Sequence, residues 1–150
     1  MPAAPTGSPK WRPSAWQDLL RLTATLPEGT AWSFGGGTAL AVHYGHRTSY
    51  DIDAFVGASD TVRALTPQRN PVTRQILEGN PYEYPGNYLK LVFPDGEIDF
   101  IVAGSQTDTP VAPWVFESAT VPLETPWEIA IKKMFFRPSN FKVRDVFDLR

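Results

Sequence analysis

The sequence of 150 residues contains no cysteine, which excludes disulfides, thiolate nucleophiles and cysteine-ligated zinc sites. Histidine is almost as scarce: the chain has two, His43 and His46, so carboxylates would have to supply most ligands of any bound metal. Long apolar runs are also missing, and none approaches the roughly 20 residues that a membrane span requires. These absences predict a protein of the aqueous phase, and the lack of cysteine fits a reducing compartment such as the cytoplasm.

The first thirteen residues contain four prolines and lack the apolar core of a signal peptide. They predict a flexible tail over residues 1–13, followed by one domain over residues 14–150. With 42% hydrophobic and 13% aromatic residues, the chain has enough apolar side chains to bury a core, which excludes disorder throughout. The sequence therefore predicts a globular cytoplasmic protein without membrane attachment.

Local patterns predict a mixture of helices and strands. Ser14, Asn70 and Thr125 are the predicted N-caps, the last two each followed by proline at the first helical position. In chain order, the predicted elements are a helix at 14–26, a strand at 31–34, a helix at 38–44, a strand at 51–56, one or two helices within 57–80, a hairpin of strands 88–93 and 97–102, a strand at 119–123, and helices at 126–137 and 142–149. This order predicts an α+β fold, a mixed β-sheet with helices packed mainly on one side.

A glycine triplet at 35–37 stands between a predicted strand and a predicted helix. Glycine permits the positive φ angles that a tight turn requires. Backbone N–H groups at the start of a helix bind phosphate readily, and the hydroxyl of Thr38 would add a donor. Arg47 and Ser49 follow closely and could contact the same phosphates, arginine in a bidentate fashion. The segment therefore predicts a phosphate-binding turn.

Three aspartates supply the complementary half of a candidate site. Asp51 and Asp53 alternate along a predicted strand, so their side chains share one face with Cα atoms roughly 6.5–7 Å apart. Carboxylates that close favour a bound cation, and oxygen ligands suit Mg²⁺ or Mn²⁺. Asp99 lies on the second hairpin strand, and in register it would complete a site for two ions. Each motif alone is more often a turn or a charged surface, so their order along the chain carries the prediction.

Two blocks of sequence stand in an order that one enzyme family uses. The first, from Trp32 to Phe55, contains GGTAL followed by HRTSYDIDAF. The second, over residues 131–149, contains KKMFFR followed by RDVFDL. They resemble the GGTAL…HRxSxDxDxF and K-x-h-x-x-R…RDxxDL elements of the AbiEii/AbiGii toxin family, within the DNA polymerase beta-like nucleotidyltransferases. The resemblance covers about residues 32–149 and implies a nucleotidyltransferase fold.

The resemblance also implies an activity and its partners. It implies a Mg²⁺-dependent enzyme that transfers a nucleoside monophosphate from an NTP to an acceptor hydroxyl, on RNA or tRNA. It further implies a toxin with a cognate antitoxin, in a bacterial toxin–antitoxin or phage-defence system. Family members commonly continue into a helical region beyond the position of Arg150.

Individual residues take roles from this resemblance. Lys133 is the better match to the motif lysine, with Lys132 as the alternative. The implied site residues are Gly36, Gly37, Thr38, Arg47 and Ser49 for the nucleotide, Asp51, Asp53 and Asp99 for metal and catalysis, and Lys133 and Asp145 as further catalytic groups.

Other functions remain as alternatives. A nucleotidyltransferase fold could bind an NTP or a protein partner without turnover. A phosphohydrolase of the DxDx(T/V) type fits less well, because Ala54 and Phe55 stand where a hydroxyl residue would follow. A dinucleotide site is also weak, because the glycine triplet lacks the G-x-G-x-x-G spacing.

Overall fold

The computed structural model describes residues 15–44, 51–116 and 118–136. The helices are α1 Ala15–Ala24, α2 Gly36–Tyr44, α3 Ser59–Ala64, α4 Pro71–Leu77 and α5 Pro126–Phe136. The strands are β1 Trp32–Gly35, β2 Ile52–Val56, β3 Tyr82–Glu83, β4 Tyr88–Phe93, β5 Gly96–Val102, β6 Val111–Phe116 and β7 Ala119–Glu124. They form one mixed sheet, so the predicted α+β class is confirmed. None of the five helices in these ranges has the length and apolar surface that a membrane span needs.

The sheet has the order β3-β4-β5-β2-β1-β7-β6, with β2 at its centre. Strand β2 runs parallel to β5 and antiparallel to β1, while β1 runs parallel to β7. Antiparallel pairing of β4 with β5 and of β6 with β7 completes the two flanks. This topology brings the strand after the glycine triplet and the hairpin strand into direct contact.

One face of the central strands forms the hydrophobic core. Ile52 and Ala54 of β2 are fully buried, as are Ile98 and Phe100 of the paired strand β5. Trp16 of α1 also belongs to this core. Its ring packs against the rings of Phe34, Trp114 and Phe116, at centroid distances of 5.5–5.7 Å. Because strand residues alternate between faces, the core positions leave the intervening positions on the opposite face of the sheet.

Two helix starts follow the predicted capping chemistry. The Asn70 side chain accepts hydrogen bonds from the N–H groups of Val72 and Thr73, at 3.0 and 3.3 Å, which confirms it as the N-cap of α4. The Thr125 hydroxyl accepts from the N–H of Glu128 at 3.4 Å. Helix α2 begins at Gly36, two residues before the predicted start, so the second and third glycines form its first turn.

Two strands were absent from the prediction. Strand β6 contains Pro113, which cannot donate a ladder hydrogen bond and therefore argues against a strand in the sequence. The structure accommodates it because β6 is an edge of the sheet. Strand β3 has two residues and carries no periodic signal. The predicted tail at 1–13, the cap Ser14 and the helix at 142–149 lie outside the described residues.

Candidate functional site

A row of polar positions crosses the sheet on the face opposite the core. Gly35 pairs with Asp53, Asp53 pairs with Asp99, and Asp99 pairs with Lys90. Directly paired residues point to the same face, and neighbouring strands lie about 4.8 Å apart. The register therefore places Asp53 and Asp99 side by side, between the glycine that ends β1 and the lysine of β4.

Asp51 lies just before β2, at the same end of the sheet. Its Oδ1 accepts a hydrogen bond from the N–H of Glu97 at 3.0 Å, and its side chain is exposed. The hydroxyl of buried Thr38 donates to the backbone carbonyl of Asp51. Thr38, predicted to contact a triphosphate, thus ties the start of α2 to the strand that carries the aspartates. Asp51, Asp53 and Asp99 are called the aspartate cluster below.

The buried carboxylate of Asp99 is only partly compensated by the groups around it. Its Oδ1 is buried and accepts no hydrogen bond from the described residues. Burial and then repulsion from Asp53 raise the pKa of Asp99 to about 8, although Lys90 acts in the opposite direction. Lys90 is itself shared, with its Nζ 3.8 Å from Glu83 and 3.9 Å from Glu97. A cation or a proton from outside the cluster would relieve this repulsion.

The glycine triplet is shaped by contact with the neighbouring carboxylates. Gly36 has a φ of +74°, and a Cβ there would lie 2.1 Å from Oδ2 of Asp53. A Cβ on Gly35 would lie 2.2 Å from Oε1 of Glu124 and 2.7 Å from the ring of Phe55. Only glycine fits at these positions, so the start of α2 packs directly against the Asp53 carboxylate. The positive end of the helix dipole stabilises a negative charge there.

A second group of charged side chains lies close to Gly35, around Glu124. Lys132 is 5% exposed, forms an ion pair with Glu124 and lies 3.5 Å from Oε2 of Glu128. Its Nζ sits 4.4 Å from the centroid of the Phe55 ring, two residues along β2 from Asp53. Glu124, Glu128 and Lys132 are called the glutamate cluster below. Of the two lysines considered in the sequence, Lys132 is the one buried against the sheet, whereas Lys133 is half-buried.

Hydrogen bonds reach three of the four carboxylate oxygens in the glutamate cluster, while Oε1 of Glu124 is buried and has no hydrogen-bond partner among the described residues. Oε2 of Glu124 accepts from the Ser33 hydroxyl at 2.5 Å. Glu128, the third residue of α5, accepts hydrogen bonds from the N–H of Gln106 at 2.8 Å and from the hydroxyl of Thr107 at 2.8 Å. Burial raises the pKa of Glu124, while Lys132 and Ser33 lower it. Glu124 and Ser33 were not predicted as site residues from the sequence, where the local signal was the i,i+4 spacing of Glu128 and Lys132.

The remaining predicted site residues, Arg47, Ser49 and Asp145, lie outside the described ranges. Over the ranges that are described, no three Asp, Glu or His side chains are arranged to hold a metal ion by themselves. The donor chemistry of the aspartate cluster nevertheless fits a hard divalent cation, because a buried carboxylate oxygen of Asp99 lacks a partner and Asp53 lies beside it. Mg²⁺ is typically held by one or two carboxylates together with substrate phosphates and water.

Comparisons with known proteins show the family and the fold of the chain. A family profile described as nucleotidyl transferase AbiEii toxin, type IV toxin–antitoxin system, matches residues 17–150. No curated protein sequence matches the chain significantly.

Two solved structures share the fold at low identity. One is the antibiotic-resistance factor ANT(2'')-Ia, at 15% identity and a TM-score of 0.57, with 90% of this chain and 78% of that chain covered. The other is the lincosamide antibiotic adenylyltransferase LnuA with lincomycin bound, at 14% identity and a TM-score of 0.53, with 89% and 92% covered. Since the family match spans most of the sequence, the chain belongs to the AbiEii nucleotidyl transferase toxin family of type IV toxin–antitoxin systems.

Proposed function

We propose that the protein is a Mg²⁺-dependent nucleotidyltransferase that transfers a nucleoside monophosphate from an NTP to a hydroxyl of RNA, with tRNA as the acceptor. The observation that carries the proposal is the pairing of Asp53 with Asp99 on parallel strands, beside the N-terminus of α2. Two carboxylates and a helix start meet there, which suits a metal-bound triphosphate.

The aspartate cluster would hold the metal. Asp53 and Asp99 supply neighbouring carboxylates, and Asp51 supplies its second oxygen, since Oδ1 is engaged by Glu97. A bound Mg²⁺ would neutralise charge on the phosphate oxygens and lower the pKa of the attacking hydroxyl.

Residues around the start of α2 would bind the nucleotide. The N–H groups of Gly36 and Gly37 are suited to the triphosphate, with Thr38 positioning the turn. Arg47, Ser49, Lys133 and Asp145 have the roles proposed from the sequence: phosphate contacts for Arg47 and Ser49, charge compensation for Lys133, and the nucleotide site for Asp145. Lys132 is the alternative to Lys133, supported by its burial beside Phe55.

Asp99 is the proposed general base. Burial and Asp53 raise the pKa of Asp99 to about 8, so its ionised form has a high proton affinity. A bound Mg²⁺ would keep more of this carboxyl ionised at neutral pH and therefore able to accept a proton. In the proposed step the acceptor O–H bond breaks and its proton passes to Asp99. The acceptor oxygen forms a bond to the α-phosphorus as the bond to pyrophosphate breaks, and pyrophosphate leaves.

A label-transfer assay tests the proposal. Each α-labelled NTP is incubated with total tRNA and Mg²⁺, with lincomycin as a small-molecule acceptor for comparison. We expect Mg²⁺-dependent label on tRNA, and roughly a 10³-fold lower rate for Asp53→Asn, because metal charge stabilisation supplies several kcal/mol. The matched control is Asp95→Asn, an exposed turn carboxylate, which should transfer at the wild-type rate. Equal rates for the two variants would refute the assignment, and label on lincomycin alone would refute the RNA acceptor.

A binding protein without turnover is the second candidate. It is favoured by the engagement of Asp51 with the Glu97 backbone, which leaves the aspartate cluster short of a complete metal site. Titration calorimetry with Mg²⁺ and ATP, followed by a pyrophosphate assay, separates the candidates. Binding without pyrophosphate release under any acceptor would favour this second function.

The proposed role in the cell is that of a toxin with a cognate antitoxin, in toxin–antitoxin or phage-defence function. Induced expression should arrest bacterial growth in the wild type but not in Asp53→Asn, and co-expression of a cognate antitoxin should restore growth. Arrest by both forms would contradict a catalytic toxin.

A further inference from the structure

A basic and aromatic cleft lies on the opposite side of β4 from the aspartate cluster. It has a volume of about 350 Å³, and its lining comes from the end of α3, the following loop and the region of β3. The lining residues are Arg63, Thr66, Gln68, Arg69, Tyr82 and Tyr84. We propose that this cleft binds a single-stranded stretch of the acceptor RNA, a proposal that rests on the RNA acceptor of the proposed function.

The two arginines are available to an outside anion. Arg63 and Arg69 are both exposed, and neither forms an ion pair within the described residues. Glu83, the acidic residue between the two tyrosines, does not neutralise them, because its carboxylate lies 3.8 Å from Lys90 on the other face. Two unpaired guanidinium groups beside one cleft suit phosphates of a nucleic acid backbone.

The two tyrosine rings favour RNA over a polyanion without bases, because they offer a surface on which bases can stack. Tyr84 is 38% exposed, and Tyr82 is half-buried with its hydroxyl held by the side-chain amide of Gln68. Single-stranded RNA is recognised mainly through unstacked bases that stack on aromatic rings, with phosphates bound by basic groups alongside. An acidic peptide would use the arginines but would have no partner for the rings.

The loop that carries Arg69 is held in place before any ligand arrives. The N–H of Arg69 donates to the Thr66 carbonyl at 3.0 Å, and the Arg74 guanidinium donates to the Pro67 carbonyl at 2.6 Å. The Asn70 cap of α4 fixes the other end of the loop. A preformed cleft loses less entropy when it binds a strand.

The position of the cleft fits an acceptor that also reaches the aspartate cluster. Strand β3 lies two strands from β5, about 10 Å across the sheet. Tyr82 pairs with the buried core residue Leu91, whereas the neighbouring Glu83 pairs with Lys90 of the polar row. An RNA strand that leaves the cleft would therefore pass around the short edge strand to reach Asp99.

Fluorescence anisotropy with a labelled oligoribonucleotide of about 12 nucleotides tests the proposal, without NTP or Mg²⁺. Arg63→Gln/Arg69→Gln should weaken binding at least 10-fold and lower the salt slope by about 1.4, since each phosphate contact on a single strand contributes about 0.7. Tyr84→Ala should weaken binding about 5-fold or more at an unchanged slope. Arg21→Gln, which removes an exposed arginine that contacts Gln75 elsewhere, is the matched control and should change affinity less than 2-fold.

Three outcomes would overturn the inference: the double variant behaves like Arg21→Gln, polyglutamate displaces the RNA as well as unlabelled RNA does, or AMP displaces it at the same concentration. The last two would indicate an acidic peptide site or a free-nucleotide site. The same titration on Asp53→Asn separates this inference from the proposed function. Asp53→Asn should bind RNA as the wild type does, because the variant leaves the cleft unchanged. Cleft-dependent RNA binding by a wild-type protein that shows no nucleotidyl transfer would support the cleft and refute the enzyme.

Discussion

Two acidic clusters on the same sheet differ in how their charge is balanced. In the glutamate cluster the buried ammonium of Lys132 lies between two carboxylates, and backbone and hydroxyl donors bind their oxygens. In the aspartate cluster the described residues supply one nearby cation, Lys90, and it is shared with Glu83 and Glu97. The glutamate cluster therefore contains its own buried counterion, whereas the aspartate cluster shares a partly exposed lysine with two glutamates. Each cluster keeps one buried carboxylate oxygen, Oε1 of Glu124 and Oδ1 of Asp99, that accepts no hydrogen bond from the described residues. The difference in counterions supports the proposal that the metal binds at the aspartate cluster rather than at the glutamate cluster.

The largest effect should come from removing Lys132, the cation of the glutamate cluster. Lys132→Met leaves two buried carboxylates uncompensated, and loss of one partner of a buried ion pair costs about 3–5 kcal/mol. Urea-induced unfolding should show this loss, and adding Glu124→Gln to the same chain should recover part of it. The control Lys133→Met should cost less than Lys132→Met, because Lys133 is half-buried whereas Lys132 is buried between two carboxylates. An additive double variant would show that Glu124 and Lys132 do not act as a pair.

The next effect should come from crowding the aspartate cluster. Gly36→Ala places a Cβ at positive φ and against Oδ2 of Asp53, whereas Gly79→Ala, at a φ of +84°, meets no atom within 4 Å. Both variants bear the backbone strain of about 1 kcal/mol, so the additional loss in Gly36→Ala, about 1–2 kcal/mol, measures the contact. Mg²⁺-ATP affinity should fall in that variant alone. Equal unfolding free energies would mean that α2 can move away from Asp53.

Removing one negative charge from the aspartate cluster should stabilise the protein. Asp99→Asn removes repulsion with Asp53 and the cost of an unpaired buried carboxylate, so the free energy of unfolding in EDTA should rise by about 1–3 kcal/mol. Millimolar Mg²⁺ should then stabilise the wild type more than the variant, because ligand binding adds stability by mass action. Asp95→Asn is the control with no expected gain. A destabilised Asp99→Asn would place Asp99 among the structural carboxylates.

The smallest effect should be on the pH dependence of the free energy of unfolding, through His43 beside the glutamate cluster. The ring Nε2 of His43 donates to the Glu124 carbonyl at 2.8 Å, and burial lowers the pKa of His43 below 6.5, more than that hydrogen bond raises it. The unfolded chain takes up a proton at higher pH than the folded chain, so this residue makes stability fall as pH drops below about 6.5. Unfolding free energies at pH 7.5, 6.5 and 5.5 should therefore decline less steeply in His43→Gln. Parallel profiles would contradict this.

The sequence predicted best where local chemistry decides the structure. The Asn70-Pro71 start of α4 and the hairpin around Asp95-Gly96 were predicted because capping and turn geometry involve neighbours along the chain. Strand β6 was missed because Pro113 is tolerated only at an edge, and edge position is a property of the whole sheet. The glycine triplet was assigned to a turn, but its last two residues form the first turn of α2.

For the candidate site, the sequence by itself determined the chemical types and their order: a glycine-rich helix start, alternating aspartates and a third aspartate on a hairpin. Period-two alternation predicted that Asp51 and Asp53 share a face, because the strand was expected to begin at residue 51. In the structure β2 begins at Ile52, and Asp51 lies just before it, with its Oδ1 bound by the N–H of Glu97. Tertiary structure alone decided that Asp99 pairs with Asp53 across neighbouring strands. It also decided that Lys132 forms an ion pair with Glu124, to which Ser33, 91 residues before Glu124 in the chain, donates a hydrogen bond. The physical reason is that strand register and charge pairing are set by which distant segments pack together, and no spacing along the chain encodes them.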